Sequence, residues 1–203
     1  MDWRSNRRLC RRFATSCRSY FLSLFTYFME ITLIRHTTPK IAKGICYGQS
    51  DIDIIDTFLE EIKPILKEVP INNLETTYYS SPLLRCKKLA EKLSDTVIYD
   101  NRLKELDFGD WELKNWDAIN KVELDIWMTD FVNVSATNGE SYIGLHARTT
   151  DFLSEIVVQN HQKIVIVAHA GVIRSLNAFI KKIPLEKSFD LKLQYGEILK
   201  LNY

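Results

Sequence analysis

Two predicted strands each end in a histidine. The first strand, 31–34, is followed at once by Arg35 and His36, and a second strand, 163–168, is followed by His169. Short aliphatic and β-branched runs of this kind are typical of strands buried in a parallel sheet. Because ligands of such sheets collect at the carboxyl ends of the strands, we expect the two histidines to lie close together in a binding site.

An arginine and a glutamate follow the other two predicted strands. Arg85 comes shortly after a strand over 75–80, in the first turn of a predicted helix, and Glu105 comes shortly after a strand over 96–99. Alone, an arginine in this position is typical of an exposed helix residue. Beside two histidines at the same sheet edge, it indicates a site for an anion.

These side chains suit phosphoryl chemistry. The guanidinium groups of Arg35 and Arg85 can hold phosphate oxygens with paired hydrogen bonds, and no serine or cysteine lies in a nucleophile motif. The neutral imidazole of His36 can attack phosphorus and form a phosphohistidine that water then hydrolyses. Glu105 is the candidate that protonates the leaving alkoxide and later deprotonates water.

The remaining pattern predicts an α/β fold in one domain over 29–203. The chain has 203 residues, 46% of them hydrophobic and 26% charged, which is enough for one sizeable core. Alternating strands and helices predict a three-layer α/β/α sandwich with a mostly parallel central sheet. An aromatic-rich stretch, about 107–140, is expected to form an inserted helical cap. The predicted helices span 53–69 with a kink or break at Pro64, 82–93 with Ser81 as N-cap, 117–131, 142–159 and 171–182, and a C-terminal hairpin joins 189–193 to 197–202.

Residues 1–28 differ from the rest of the chain. They hold six arginines and one acid, and an apolar run continues to Met29. The run is about ten residues long, whereas a membrane-spanning helix needs roughly 20. We interpret this segment as an extension outside the fold, with Met29 as the true start, a cytoplasmic location and no stable membrane span; export or membrane association is the alternative. A net charge of +1 argues against nucleic acid as the main partner.

No metal or cofactor is expected. The four histidines are scattered along the chain, and Cys46 and Cys86 stand alone, without the spacing of a metal site or a disulfide framework. We expect both thiols to be buried and inert.

Four segments resemble the signature segments of the histidine phosphatase (phosphoglycerate mutase-like) superfamily. They occur in the family's order and spacing, and the resemblance covers the chain from Met29 to Tyr203. The segments are 33–37, 80–86, 103–112 and 167–171.

This resemblance implies a role for each of the five side chains already singled out. His36 is the phosphorylated nucleophile, Arg35 and Arg85 hold the phosphate, His169 stabilises the transferring group, and Glu105 is the proton donor. These implied roles agree with the assignment made from the residues.

Two positions depart from the family's pattern. Thr37 replaces the usual glycine after Arg-His, so the loop cannot use glycine-only backbone conformations as cheaply. Ala42 replaces a frequent asparagine and removes one phosphate donor. Neither change touches the five central side chains.

The resemblance extends to a substrate class. The segment after Leu106 lacks the Glu-Arg-x-Tyr-Gly run of cofactor-dependent mutases, which favours a phosphatase. Three further segments resemble α-ribazole phosphatases, which implies action on α-ribazole 5′-phosphate in assembly of the cobalamin lower ligand. Thr37, Tyr47 and Gln49 are the predicted additional substrate contacts. The three segments are 44–51, 108–112 and 137–140.

Two alternatives stay open. The first is a broad-specificity or sugar-phosphate phosphatase, or a residual mutase, acting by the same chemistry on a small-molecule phosphate ester. The second, of another class, is a non-catalytic module that binds phospho-ligands. The sequence does not specify an oligomeric state.

Overall fold

The computed structural model describes residues 29–159 and 161–203, so the interpretation of residues 1–28 lies outside the described residues. Within them, one sheet has the order β3-β2-β4-β1-β5, parallel throughout except that β5 runs antiparallel to β1. The strands are β1 (Glu30–Arg35), β2 (Thr76–Ser80), β3 (Val97–Tyr99), β4 (Lys163–Ala168) and β5 (Ile198–Asn202). The helices are α1 (Phe58–Glu61), α2 (Lys63–Glu68), α3 (Leu84–Leu93), α4 (Lys121–Thr129), α5 (Tyr142–Val157) and α6 (Ala170–Lys181).

Alternation along the central strands builds two cores. In β1, Ile31 and Leu33 belong to a core that includes residues of α5 and α6, whereas Ile34 belongs to a core with residues of α1, α2 and α3. In β4, Ile166 and Val167 divide between the same two cores. Side chains of successive strand residues point to opposite faces, so both faces of the sheet are covered. The predicted three-layer α/β/α sandwich is confirmed.

The aromatic-rich stretch 107–140 packs on the α5 and α6 side of the sheet, where Trp111 and Trp127 join the core. Its helix is shorter than the predicted 117–131, because the Asn120 side chain accepts hydrogen bonds from the backbone N–H groups of the first turn and starts α4 at Lys121. A separate 3₁₀ turn precedes it.

Three further features of the helices can be compared with the sequence: the break at Pro64 and the first residues of α3 and α5. Pro64 does break the predicted helix, which is divided into α1 and α2. The predicted Ser81 N-cap is wrong, since α3 begins at Leu84 without a side-chain cap and the Ser81 hydroxyl lies 2.8 Å from Nε2 of His169. Ser141 is the N-cap of α5, and its hydroxyl accepts from the N–H of Gly144.

The C-terminal hairpin is predicted only in part. Residues 198–202 form β5, but the predicted arm 189–193 is not a strand. The carbonyl groups of Leu191 and Leu193 instead accept hydrogen bonds from the side chains of Arg174 and Arg35. This arm therefore supports arginines of the candidate site rather than a sheet.

None of the helices in the described part of the chain has the length and apolar character needed to cross a membrane.

Candidate active site

The sheet topology brings the two strand-end histidines together. β1 and β4 are adjacent and parallel, with Arg35 in register with Ala168, and the N–H of His36 donates to the carbonyl of Ala168 at 3.0 Å. The imidazole rings of His36 and His169 lie 5.1 Å apart, centroid to centroid, in an edge-on arrangement. The predicted convergence of these residues is present in the structure.

A backbone contact fixes the tautomer of His36. Nδ1 lies 2.7 Å from the carbonyl oxygen of Thr37, and a carbonyl can only accept a hydrogen bond, so Nδ1 carries the proton. In the neutral ring the lone pair is then on Nε2. Nε2 is the atom of His36 that is available as a nucleophile.

Burial keeps both imidazoles neutral. Burial first, and then the positive charge of Arg85, hold the pKa of His36 well below its usual value. Burial and the charge of Arg85 also hold the pKa of His169 well below the usual value, with His36 as a smaller contribution. At neutral pH the site therefore contains an unprotonated imidazole beside fixed guanidinium charges.

This arrangement predicts a loss of stability in mild acid. In the unfolded chain both histidines take up protons near their ordinary pKa of about 6.5, whereas in the folded chain they stay neutral to lower pH. The unfolded state therefore binds more protons, and the free energy of unfolding falls as pH drops from 7.5 through that value towards the lowered native pKa. The expected slope is up to about 1.4 kcal/mol per pH unit for each histidine.

Urea denaturation at several pH values measures this slope. The double variant His36→Asn, His169→Asn should show a shallower decline than the wild type between pH 7.5 and 5.5. Equal slopes for the two proteins would contradict neutral burial of the pair.

The two predicted arginines lie around His36 but differ in their contacts. Arg85 is fully buried, and its terminal amino groups donate to the carbonyls of Gly48 and Ser50. Arg35 donates from Nη1 to Leu193, and its guanidinium carbon lies 4.0 Å from the centre of the Tyr195 ring. Backbone carbonyls thus hold both guanidinium groups in place.

Three polar atoms at this point are buried without a hydrogen-bond partner among the described residues: Nε of Arg35, Oγ1 of Thr37 and Nε of Arg85. Buried donors are normally paired, so such a group requires an explanation, and an incoming anion is one.

The replacement of the family's glycine by Thr37 does not strain the backbone, since Thr37 does not adopt a positive φ. Ala42 is exposed.

Glu105 is held by backbone N–H groups from two directions. Oε1 accepts from Leu106 at 3.0 Å, and Oε2 accepts from Gly171 at 3.1 Å. A Cβ atom at position 171 would lie 2.3 Å from Oε1 of Glu105, so only glycine leaves room for the carboxylate there. The first turn of α6 therefore positions the predicted proton donor.

The backbone around Glu105 is also fixed. Arg148, in a salt bridge with Glu140, donates to the carbonyls of residues 102, 104 and 105. Gln49 donates from its amide to the carbonyl of Glu105 at 3.2 Å and is absent from the cavity wall. Its direct contact with substrate stays a prediction.

A cavity of about 210 Å³ lies beside His36, whereas Arg85 and His169 do not line it. Arg35, His36, Tyr47 and Glu105 lie in its wall, which is otherwise largely aromatic. The further lining residues include Phe108, Trp116, Trp127, Tyr142, Arg174 and Phe189. The cavity wall therefore combines groups that can bind an anion with aromatic side chains that can contact an apolar or aromatic group.

Two residues of the site, Tyr195 and Arg174, are not among the predicted site residues. Tyr195 donates or accepts a hydrogen bond with Tyr47, hydroxyl to hydroxyl, at 2.8 Å, and its ring centre lies 5.6 Å from that of His36. Arg174 lines the cavity from α6, three residues after Gly171. The helical spacing from Gly171 is a signal for Arg174, whereas nothing local in the sequence indicates Tyr195.

No cluster of three or more histidine, cysteine or acidic side chains suited to a metal ion is found within residues 29–159 and 161–203. Cys46 and Cys86 are buried. Burial, with a smaller effect of Glu112, raises the pKa of Cys46 to about 12, and burial also raises the pKa of Cys86. Both thiols are protonated at neutral pH.

The chain is similar to known phosphatases in sequence and in fold. The chain is 25% identical to a Hydrogenobacter thermophilus protein named "putative phosphoserine phosphatase 2", over 85% of this chain and 89% of that protein. It is 29% identical to the adenosylcobalamin/alpha-ribazole phosphatase of Salmonella typhimurium, over 83% of this chain and 87% of that protein. Among solved structures, the alpha-ribazole phosphatase from Shigella flexneri superposes with a TM-score of 0.74 at 25% identity, over 85% of this chain and 89% of that chain.

The family comparison covers most of the chain. Residues 31–203 match the family model described as the histidine phosphatase superfamily, branch 1. That span contains the whole sheet apart from the first residue of β1, and all the side chains of the candidate site. The chain therefore belongs to the histidine phosphatase superfamily.

Proposed function

We propose that the protein is a phosphomonoesterase that works through a phosphohistidine intermediate on His36. One observation carries the proposal: the Nδ1–H of His36 is engaged by the Thr37 carbonyl, which leaves the Nε2 lone pair beside a cavity that also contains Glu105. A nucleophile and a proton donor in one cavity are the minimum for such a reaction.

The reaction takes two balanced steps. First, Nε2 of His36 attacks phosphorus, the bond from phosphorus to the ester oxygen breaks, and the carboxyl proton of Glu105 passes to the leaving alkoxide. Then the Glu105 carboxylate takes a proton from water, the water oxygen attacks phosphorus, and the phosphorus–nitrogen bond breaks. Inorganic phosphate leaves, and Glu105 is protonated again.

Fixed positive charge supports both steps. Arg35 and Arg85 each have a buried Nε–H without a partner among the described residues, and each can donate it to a phosphoryl oxygen. Their terminal groups are already held by backbone carbonyls, so little reorganisation is required when the transferring group becomes more charged. His169, with its ring 5.1 Å from that of His36, is the candidate for a further contact to the phosphoryl group.

We infer α-ribazole 5′-phosphate as the preferred substrate. The cavity beyond His36 is walled by aromatic side chains from the stretch 107–140 and its neighbours, among them Trp116 and Phe108. Stacking of a base on such side chains contributes about 1 to 3 kcal/mol in nucleic-acid complexes. Relatives named adenosylcobalamin/alpha-ribazole phosphatase support the same inference.

One observation favours a second candidate, an ester whose alcohol carries a carboxylate, such as phosphoserine. Arg174 lines the cavity together with Glu105, and its Nε donates to the carbonyl of Leu191 at 3.0 Å. No carboxylate within the described residues forms a salt bridge with it. Burial lowers the pKa of Arg174, and the charge of Glu105 opposes this effect. A cationic group beside the predicted proton donor suits an anionic leaving group.

Phosphate release by the full chain, with EDTA present, tests the function and separates the candidates. The substrates are α-ribazole 5′-phosphate, phosphoserine, 3-phosphoglycerate and p-nitrophenyl phosphate. Preference for the first supports the cobalamin assignment, and preference for phosphoserine or 3-phosphoglycerate supports the second candidate. Similar slow hydrolysis of all four indicates a generalist, and no hydrolysis of any contradicts the enzymatic proposal.

Arg174→Met should alter this substrate profile. We expect kcat/KM for phosphoserine to fall about tenfold or more, since a hydrogen bond to a charged group contributes roughly 1.5 to 3 kcal/mol. Hydrolysis of p-nitrophenyl phosphate should change little, because its leaving group has no carboxylate. Lys181→Met, an exposed position on the same helix, is the matched control. An equal loss on every ester would contradict this specificity role for Arg174.

A further inference from the structure

Glu112 anchors a loop that lies outside the cavity wall. Its two carboxylate oxygens accept hydrogen bonds from three consecutive backbone N–H groups, those of Gly48 at 3.0 Å, Gln49 at 2.8 Å and Ser50 at 3.1 Å. The hydroxyl of Ser50 and the N–H of Phe108 donate to it as well. Successive N–H groups converging on one anion form a nest, and this carboxylate occupies it from within the chain.

The loop's opposite side holds Arg85. While the N–H groups of Gly48 and Ser50 point to Glu112, the carbonyl oxygens of the same two residues accept from the terminal amino groups of Arg85. Arg85 is fully buried, so these carbonyls largely determine where its guanidinium plane lies. The position of the anion-binding arginine therefore depends on a loop whose shape depends on Glu112.

Close packing leaves this loop little freedom. A Cβ atom at position 48 would lie 1.7 Å from the carbonyl oxygen of Leu106, so the loop presses directly on the backbone that follows Glu105. Gln49 adds the hydrogen bond to the Glu105 carbonyl. The loop thus connects Glu112 to both sides of the candidate site.

The charge state of Glu112 suits this anchoring. Burial raises the pKa of its carboxyl group, but hydrogen bonds from Ser50 and from the backbone of residues 48–50 outweigh burial, and the pKa is lowered overall. The group is therefore a carboxylate at neutral pH and can accept every one of these hydrogen bonds.

We propose that Glu112 is a positioning residue that sets the guanidinium group of Arg85 through loop 48–50 without touching the substrate. The inference rests on the proposed function, in which Arg85 binds the phosphoryl group. It assigns no chemical step to Glu112. Its effect is expected to pass mainly through Arg85, which the loop holds by two hydrogen bonds, whereas the side chain of Gln49 makes one hydrogen bond to the Glu105 backbone. A double-mutant cycle with Arg85 measures that share.

The cycle uses the full chain with Glu112→Gln, Arg85→Met and the double variant. In the wild-type background, Glu112→Gln should lower kcat/KM about 10- to 100-fold, the loss expected from a misplaced binding group. The dissociation constant for inorganic phosphate should rise by a similar factor, with an unchanged circular dichroism spectrum. In the Arg85→Met background, Glu112→Gln should change either quantity by less than about twofold.

Asp110→Asn removes an exposed carboxylate two residues away and is the matched control, with activity expected at the wild-type level. Additive losses in the double variant, or a Glu112→Gln protein as active as Asp110→Asn, would overturn the proposal. If Glu112→Gln does not fold, Ser50→Ala, which removes one donor to the same carboxylate, replaces it in the cycle. If the wild type binds phosphate without hydrolysing esters, the proposed function fails while the phosphate cycle still decides the role of Glu112.

Discussion

Replacing His36 with alanine should abolish ester hydrolysis, with a loss of about 10⁴-fold or more, as is typical when the nucleophile of a covalent mechanism is removed. The variant loses Nε2 of His36, which keeps a free lone pair because Nδ1 of the same ring donates to Thr37. The remaining arginines can still bind a phosphate ester, but no group at that position can accept the phosphoryl group. Binding of inorganic phosphate should therefore survive while turnover does not.

Trapping of the intermediate distinguishes this outcome from a general loss of structure. Wild-type protein quenched during turnover of a ³²P-labelled ester should carry label that is stable in alkali and lost in acid, as expected for phosphohistidine, and His36→Ala should carry none. His161→Ala, at a half-buried histidine outside the cavity, should label normally. Label that persists in His36→Ala would place the nucleophile elsewhere. Phosphate binding without label or turnover in the wild type would favour the non-catalytic phospho-ligand module.

The convergence of His36, His169 and Arg85 is predictable from sequence for a topological reason. Each follows a short apolar or β-branched strand, and parallel strands connected by helices end at one edge of the sheet. The structure adds that β4 lies between β1 and β2. His36 and His169 directly follow β1 and β4, and Arg85 lies in the first turn of the helix that follows β2. Local patterns are enough to bring the three residues to one sheet edge, because that placement depends on the order of the strands.

Contacts that depend on irregular segments are not predictable in this way. Arg35 donates to Leu193 across 158 residues of sequence, and the arm 189–193 reads as a strand from its residues alone. In the structure the arm is not a strand, and two of its carbonyl groups accept hydrogen bonds from the side chains of Arg35 and Arg174. Tyr195, packed over Arg35, depends on the same segment.

Burial also reverses one expectation from local sequence. An arginine in the first turn of a helix is ordinarily exposed, yet Arg85 is fully buried. The cost of burying its charge is offset by the carbonyls of loop 48–50. That loop lies more than thirty residues earlier in the chain, so the residues next to Arg85 in the sequence do not indicate that its side chain is buried.

Glu105→Gln should lower kcat for an alkyl phosphate about 10²- to 10⁴-fold, the usual contribution of a positioned general acid or base. The amide has nearly the same shape as the carboxylate, but it can neither give a proton to the leaving alkoxide nor take one from water. One of the two hydrogen bonds that Glu105 accepts, from Leu106 and Gly171, is retained by the amide oxygen. The loss should therefore appear in chemistry more than in folding.

The leaving group reveals which step fails. With p-nitrophenyl phosphate the departing phenolate needs no proton, so phosphorylation of His36 should stay fast in Glu105→Gln, whereas attack by water on the phosphohistidine still lacks its base. We expect a burst of p-nitrophenol equal to the enzyme concentration, followed by slow turnover, measured by stopped flow. Glu123→Gln, at an exposed carboxylate of α4, should behave as the wild type. A Glu105→Gln protein that shows no burst and is slowed equally on alkyl and aryl esters would assign the proton transfer to another group. Loss of the residue that protonates the leaving group should slow the first step for alkyl esters, whose alkoxide needs a proton, and not for aryl esters.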